Sequence, residues 1–246
     1  MQPPFIKFPR TPHLCWLGKE TPRDDKVLSK HDAESFLSSP LIIIQEKVDG
    51  ANIGISFDED GNVWTQSRGD YFGPCIFRKS PPQFGPLWEW IEERRERLWD
   101  VLGSDYILFG EWCFVEHSIH YNGLPDWFLA YDLYHRGLHQ FEAPDLALVH
   151  CHQAGVKMVP DIGLLTGGGI LDVLLPYVSG CSVSVSNRSR ITDRPMEGLY
   201  LRTIDRSEQL LVSRTKLVNP AFTLAIDEHW TKRPLIRNER INPQCQ

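Results

Sequence analysis

The sequence lacks long apolar runs, paired cysteines and an excess of basic charge. No apolar run approaches the ~18 residues that a membrane-spanning helix requires, so no membrane partner is expected. The six cysteines include no CxxC pair, and the N-terminus has no apolar secretory segment. We therefore predict neither a zinc ribbon nor a disulfide framework, and expect an intracellular, cytoplasmic protein, with the nucleus left open. The net charge of -6 argues against coating nucleic acid through bulk charge, although a local basic cleft is compatible with it.

The composition is that of a globular protein. Of the 246 residues, 41% are hydrophobic and 24% are charged, which permits a sizeable core. Residues 1–40 are rich in proline, lysine and aspartate, and they predict an irregular N-terminal arm with a short helix. Residues 41–220 predict the main domain, and the basic residues 221–246 predict a tail that packs on the same domain.

Apolar periodicity predicts the strands and helices of this domain. Strands are expected at 41–46, 51–57, 63–67, 106–111, 127–134, 156–160, 196–203 and 209–212. Helices are expected at 31–37, 86–102, 145–154 and 170–177. The first three strands form an antiparallel meander in this interpretation, because an Asp-Gly turn joins the second strand to the third.

Lys47 stands between two apolar strand segments in the stretch LIIIQEKVDGANIGISF, which runs from Leu41 to Phe57. This position alone is weak evidence of chemistry, because a partly buried lysine that pairs with a carboxylate is far commoner than a nucleophile. A lysine attacks phosphorus only when neutral, and lowering its pKa from ~10.4 to ~7 corresponds to roughly 4 kcal/mol. Burial disfavours the ammonium form, so we expect the apolar strands to help keep Lys47 neutral.

A series of short motifs begins at Lys47 and continues along the chain. The segments are EKVDGAN at 46–52, SRG at 67–69, FGEW at 109–112, WFLAYDLY at 127–134, EGLYLR at 197–202 and RTK at 214–216. In this order they resemble motifs I, Ia, III, IIIa, IV and V of the covalent nucleotidyltransferase superfamily, which includes DNA ligases, RNA ligases and mRNA capping enzymes. Gly50 and Asn52, at the third and fifth positions after Lys47, are most similar to the RNA ligase 2 group.

The resemblance implies a fold and a reaction. The fold is an α+β nucleotidyltransferase domain, of the ATP-grasp-like kind seen in ligase adenylation domains, with antiparallel sheets flanked by helices and no full OB domain. The reaction is that of an ATP-dependent RNA ligase, which forms a lysyl-AMP intermediate, transfers AMP to a 5′-phosphate RNA end and seals that end to a 3′-hydroxyl. The implied cofactors are ATP, as substrate, and Mg²⁺ or Mn²⁺.

The resemblance also assigns roles around the nucleotide. Lys47 would be the nucleophile, and Lys216 would contact the α-phosphate. Glu46 would meet the adenine edge. Arg68 would contact the ribose or the 5′-phosphate of the acceptor strand, and Glu111 would hold a ribose hydroxyl.

Further roles follow from the same likeness. Asn52 would contact the nucleotide phosphate or the nick. Glu197 would belong to the catalytic set and to the nucleotide site. Asp49, Glu111 and Glu197 would surround a hydrated metal ion, largely through water.

Motif IIIa normally supplies an aromatic ring that stacks on the purine. Tyr131 and Phe128 are both candidates, and we favour Tyr131 because it immediately precedes the aspartate of the motif. In motif V, close relatives usually carry two lysines, whereas this chain has Arg214 in place of the first. Arg214 keeps the charge but not the geometry of an ammonium, which puts its role in the nucleotide site in doubt.

Other classes of function remain as alternatives. A DNA ligase or a capping-type nucleotidyltransferase would share the motifs, and a module that binds nucleotides or RNA ends without sealing them would share the cavity. The resemblance also leaves room for a partner protein or repair factor. Basic residues outside the motifs are candidates for contacts with RNA phosphates, although such charges more often form a solvated face: Arg188, Arg190, Arg194, Lys232, Arg233, Arg237 and Arg240.

Overall fold

The computed structural model describes residues 2–19, 25–73, 81–180, 184–224 and 234–241. Within them, helices α1 to α6 are Lys30–Leu37, Gly85–Glu92, Arg95–Leu102, Pro144–Ala154, Leu171–Leu174 and Pro220–Leu224. Strands β1 to β11 are Leu41–Lys47, Ala51–Phe57, Val63–Gln66, Tyr71–Phe72, Tyr106–Trp112, Phe128–His135, Gln140–Phe141, Lys157–Met158, Asp161–Thr166, Gly198–Asp205 and Leu210–Val218. None of the described helices combines the length and apolarity needed to cross a bilayer.

The strands form two sheets. The first sheet has four strands in the order β11-β10-β1-β9, all antiparallel. The second has seven strands, with β4-β3-β2-β5-β6-β7 as an antiparallel series and β8 parallel to β6. The predicted α+β fold with antiparallel sheets and flanking helices is confirmed.

One prediction about the strands is wrong. β1 and β2 do not pair within one meander, because β1 lies in the first sheet and β2 lies in the second. Only the β2–β3 hairpin has the predicted pairing. The chain changes sheets between Lys47 and Ala51, and a Cβ atom on Gly50 in this link would lie 2.7 Å from the carbonyl oxygen of Trp112. A side chain would therefore not fit at Gly50, and the link places Lys47 where the two sheets meet.

Two predicted helices also differ from the observed ones. The single helix expected at 86–102 is divided into α2 and α3, because Arg94 leaves the helical conformation with φ -120° and ψ 2°. Its guanidinium donates to the carbonyl oxygen of Trp90 at 3.1 Å and to Asp126 at 3.1 Å. The helix expected at 170–177 is short, since a 3₁₀ turn replaces its second half at Leu175–Val178.

Each sheet has its own hydrophobic core. Alternate residues of the first sheet, including Ile42, Ile44, Leu199 and Leu201, pack with α1 and α5 on one face. A larger core joins the second sheet to α2, α3 and α4. The other face of the first sheet carries polar side chains toward the second sheet, because successive residues of a strand point to opposite sides.

Buried charges join the two sheets across this polar face. Asp132 on β6 accepts hydrogen bonds from Arg202 on β10 at 2.8 Å and from Arg214 on β11 at 2.6 Å. The hydroxyl of Tyr200 also donates to Asp132, at 2.6 Å. Arg202 and Asp132 are 0% and 1% exposed, so the buried charge of Arg202 requires the carboxylate of Asp132.

The N-terminal arm crosses from one sheet to the other. Near its start, the side chain of Gln66 donates to the carbonyl oxygen of Ile6 at 2.7 Å in the second sheet. Further along, the backbone N–H of Lys216 in the first sheet donates to Pro12 at 2.9 Å. The residues between these two attachments therefore span the gap between the sheets.

The C-terminal segment 234–241 packs on the loop between β5 and β6. Its backbone forms hydrogen bonds with residues 114–124, including one from Asn238 to Phe114 at 3.1 Å. Arg237 and Arg240 lie over the ring of Trp127, at 5.0 Å and 4.8 Å from its centroid. Lys232 and Arg233, the other predicted cations of the tail, lie outside the described residues.

The packing at Gly198 generates a test of the fold. A Cβ atom at this position would lie 2.3 Å from the carbonyl oxygen of Leu217, which is backbone and cannot turn aside. Gly198→Ala is expected to lower the free energy of unfolding by about 2 kcal/mol or more, measured by urea denaturation. Gly85→Ala is the matched control, because a Cβ atom there meets open space. Equal stability of the two variants would contradict the packing described.

Candidate active site

A cavity of about 900 Å³ opens where the two sheets and the arm meet. Of the predicted site residues, only Phe128 and Arg214 are absent from its lining. The predicted residues that do line it are Glu46, Lys47, Asp49, Asn52, Arg68, Glu111, Tyr131, Glu197 and Lys216. These residues come from both sheets and from distant parts of the chain. The motifs recognised in the sequence therefore converge on one concave site.

Lys47 and Glu197 form an ion pair inside the cavity. The antiparallel pairing of β1 with β10 sets Lys47 opposite Gly198, which brings the preceding Glu197 beside it. Nζ of Lys47 donates to both carboxylate oxygens of Glu197, at 2.7 Å and 2.6 Å. The lysine is thus held at the end of its strand by a carboxylate from the neighbouring strand.

The protonation of Lys47 differs from the expectation that burial would keep it neutral. Burial does lower the pKa of Lys47, but the nearby charges of Glu197 and Asp49 act in the opposite direction and leave it above its ordinary value. With only the charges of the protein around it, Lys47 is therefore an ammonium. The sequence showed the apolar strands on either side of Lys47, but not that a carboxylate 150 positions away would contact it.

Asp49 is fixed by the loop that follows β5. The backbone N–H of Ser118 donates to its carboxylate at 2.7 Å, and its own N–H donates to the hydroxyl of Tyr121 at 2.8 Å. The backbone N–H of Tyr121 donates in turn to the side chain of Asn238 at 2.8 Å. Sequence reasoning missed these three supporting residues, because none of them belongs to a recognised motif.

Glu111 and Asn52 are opposite each other on β5 and β2. Oε2 of Glu111 and Oδ1 of Asn52 are buried and have no hydrogen-bond partner among the described residues. The amide nitrogen of Asn52 donates to the hydroxyl of Tyr131. Buried acceptors without partners are uncommon in proteins, and here they suit a ligand that presents hydroxyl or N–H donors.

Tyr131 and Phe128 lie in different surroundings. Tyr131 lines the cavity and packs edge-on against Phe8 of the arm, with ring centroids 5.4 Å apart. Phe128 belongs to the core of the second sheet, and its ring centroid is 5.3 Å from that of Trp90. Of the two aromatic candidates for the purine contact, Tyr131 faces the cavity and Phe128 does not.

Glu46 lines the cavity wall but is already engaged by a loop. Ser189 donates to one carboxylate oxygen at 2.5 Å, and the backbone N–H of Arg190 donates to the other at 2.8 Å. Burial raises the pKa of Glu46. In this structure the carboxylate anchors the loop, and its predicted contact with the adenine edge stays a prediction.

The two basic residues of the RTK motif have different positions. Lys216 lines the cavity. Arg214 lies two residues before Lys216 on β11, where it binds Asp132 and stacks 3.8 Å from the ring centroid of Phe141. Arg214 therefore joins the sheets outside the cavity, and the predicted nucleotide contact does not agree with this position. Arg68 is exposed and lines the cavity just after β3.

The arm contributes part of the cavity that the sequence did not indicate. Lys7, Phe8, Arg10, His13 and Asp25 all line it. The arm lacks periodicity and contains no recognised motif, so a site role could not be inferred before its contacts were known.

Comparison with known families agrees with this geometry. The family model described as RNA ligase matches residues 40–218. The chain belongs to the RNA ligase family. A search of curated proteins finds no match.

Solved structures with the RNA ligase fold include several of the Naegleria gruberi enzyme. An arginine-to-alanine mutant with ATP and Mn has a TM-score of 0.61 at 15% identity, over 91% of this chain and 59% of that chain. An aspartate-to-alanine mutant in the apo form has a TM-score of 0.60 at 14% identity, over 92% and 60%. This RNA ligase chain spans about three-fifths of the length of those proteins, and likeness at this identity establishes a shared fold.

The burial of Glu111 predicts a pH-dependent stability. Burial raises the pKa of Glu111 to about 8 from 4.5, so the folded state holds its proton more tightly than the unfolded state. The corresponding stabilisation is complete below the unfolded pKa and is lost as the pH rises through the folded value. Glu111→Gln cannot titrate, and its free energy of unfolding should therefore fall less than that of wild type between about pH 5 and about pH 9.

Urea denaturation across this pH range measures the difference. Glu92→Gln provides the control, because this side chain is 61% exposed. Parallel pH profiles for wild type and Glu111→Gln would contradict the assignment.

Proposed function

We propose that this chain is an ATP-dependent RNA ligase that forms a covalent Lys47-AMP intermediate. The observation that carries the proposal is the position of Lys47, whose ammonium lies in the cavity in contact with Glu197 and close to the remaining motif residues. Membership of the RNA ligase family supports the reaction class. The Naegleria enzyme of the same fold was solved with ATP or AMP and Mn, which supports the choice of nucleotide and cation.

The first step would form one bond and break one bond. The lone pair of Lys47 Nζ attacks the α-phosphorus of ATP, and the bond from that phosphorus to the bridging oxygen of pyrophosphate breaks. Before the attack the ammonium must lose a proton. Glu197 is 2.6 Å away, and burial raises its pKa, so this carboxylate is suited to accept the proton.

The cations and acceptors of the cavity fit the parts of a nucleotide. Lys216 and Arg68 would face the negative charge that spreads over the phosphate oxygens in the transition state. The partnerless oxygens of Glu111 and Asn52 would accept hydrogen bonds from the ribose hydroxyls. Tyr131 would stack on the purine.

A divalent cation fits this site only as a hydrated ion. Among the described residues, no three His, Cys, Asp or Glu side chains are close enough to bind a metal directly. Asp49, Glu111 and Glu197 nevertheless line the same cavity, which suits an Mg²⁺ or Mn²⁺ ion that keeps its waters. Such an ion would supply positive charge to the phosphate oxygens.

The later steps would use RNA. AMP would pass from Lys47 to a 5′-phosphate RNA end, and a 3′-hydroxyl would then displace the AMP and close the strand. Arg68 is exposed at the cavity edge and would contact the phosphate of the incoming end.

The covalent intermediate is the most direct test of this proposal. Incubation with α-labelled ATP and Mg²⁺ should label the wild-type protein, and Lys47→Ala should reduce labelling by about three orders of magnitude, because the nucleophile is absent. Lys30→Ala removes a lysine that is 92% exposed on α1 and should label like wild type. Persistent label on Lys47→Ala would overturn the mechanism, and labelling by GTP in preference to ATP would indicate a capping-type enzyme.

A second test separates the nucleophile from the sealing step. Pre-adenylylated RNA already carries the AMP that Lys47 would deliver, so Lys47→Ala should still seal it at a rate within about tenfold of wild type. A gel assay on nicked and single-stranded RNA measures the product. If wild type forms Lys47-AMP but seals no pre-adenylylated RNA or DNA, the chain is a nucleotide-binding subunit that requires a partner.

A further inference from the structure

The N-terminal arm pairs with the strand that carries Lys216. The backbone N–H of Lys216 donates to Pro12 at 2.9 Å, and Leu14 donates back to the carbonyl oxygen of Lys216 at 2.8 Å. On the other side, His13 forms backbone hydrogen bonds of 2.7 Å and 2.9 Å with residues 26–28. The arm is thus attached to the active-site strand at the position of the motif V lysine.

Side chains of the arm also contact Lys216. Nζ of Lys216 donates to one carboxylate oxygen of Asp25 at 3.0 Å, and the other oxygen lies 3.2 Å from Nε2 of His13. His13 is 2% exposed and packs edge-on against Trp16, which fixes the direction of its ring. One oxygen of Asp25 is therefore engaged by Lys216 and the other by His13, and all three residues line the cavity.

The charges around Lys216 explain why a carboxylate is useful there. Burial and the neighbouring charge of Lys47 lower the pKa of Lys216, whereas Asp25 and Glu197 act in the opposite direction. The hydrogen bond with His13 and the charge of Lys216 lower the pKa of Asp25, so it remains a carboxylate. Asp25 thus favours the charged form of a lysine that must face phosphate.

We propose that Asp25, oriented by His13, is a positioning residue that holds the Lys216 ammonium toward the phosphate site for lysyl-AMP formation. This inference rests on the proposed function. An ammonium has three N–H donors, so the bond to Asp25 leaves two for phosphate oxygens. Holding a flexible lysine in place before the reaction reduces the freedom lost at the transition state. In this role Asp25 acts through Lys216.

Single-turnover formation of lysyl-AMP at varied ATP concentration tests this role. Asp25→Asn keeps the shape of the side chain but removes its charge, and it should lower the maximal rate constant by about tenfold with little change in the apparent KM for ATP. Asp25→Glu restores the carboxylate and should recover part of the rate. The final fraction of labelled protein should equal that of wild type, whereas partial unfolding would lower that fraction and leave the rate constant unchanged.

A double-mutant cycle tests whether Asp25 acts through Lys216. The variant that combines Asp25→Asn with Lys216→Ala should react at the rate of Lys216→Ala alone, because Asp25 then has no ammonium to position. Independent, multiplicative effects of the two substitutions would overturn the proposal.

The control variant is Glu34→Gln. It removes an exposed carboxylate that lies 3.9 Å from Lys30 on α1, and it should react like wild type. If wild type forms no lysyl-AMP, the proposed function fails. If wild type reacts and Asp25→Asn matches its rate constant, only the role of Asp25 is refuted.

Discussion

The buried ion pairs of Asp132 connect the two sheets, and the rest of the structure depends on this connection. Asp132 belongs to the second sheet, while Arg202 and Arg214 belong to the first. Removing Asp132 would leave both arginines without their counter-charge in the interior, which costs far more than the loss of an exposed ion pair. Arg202 also donates to the carbonyl oxygen of Tyr131, so the same cluster holds the backbone of the residue whose ring faces the cavity. These contacts join the two sheets whose residues line the cavity.

The Lys47–Glu197 ion pair gives the site a resting state in which the proposed nucleophile is charged. A charged amine has no lone pair to attack phosphorus. In the proposed mechanism the reaction would therefore begin only when a nucleotide and a cation change the balance of charge around Glu197. The same pair that positions the lysine would also prevent it from reacting with unsuitable partners.

The sequence predicted much of the site because its motif residues lie on regular strands. Lys47 and Glu197 converge because β1 pairs with β10, whereas Glu111 reaches the same cavity from the second sheet. The change of sheet after Lys47 could not be predicted, because an apolar strand gives no sign of which sheet it will join. Arg214 shows a related difficulty: its charge suggested a contact with phosphate, while its position two residues before Lys216 on β11 places it against Asp132.

The two terminal segments change what should be regarded as the working unit of this protein. The family model covers residues 40–218, yet Asp25 holds Lys216 from one side of that region and Asn238 supports Tyr121 and Asp49 from the other. The limits of the family model, residues 40 and 218, therefore exclude residues whose contacts support the cavity. A chain trimmed to residues 40–218 would keep every recognised motif. It would lose the contact of Asp25 with Lys216 in motif V and the contact of Asn238 with Tyr121, which supports Asp49 in motif I. The physical unit is therefore larger than the region that the family model matches.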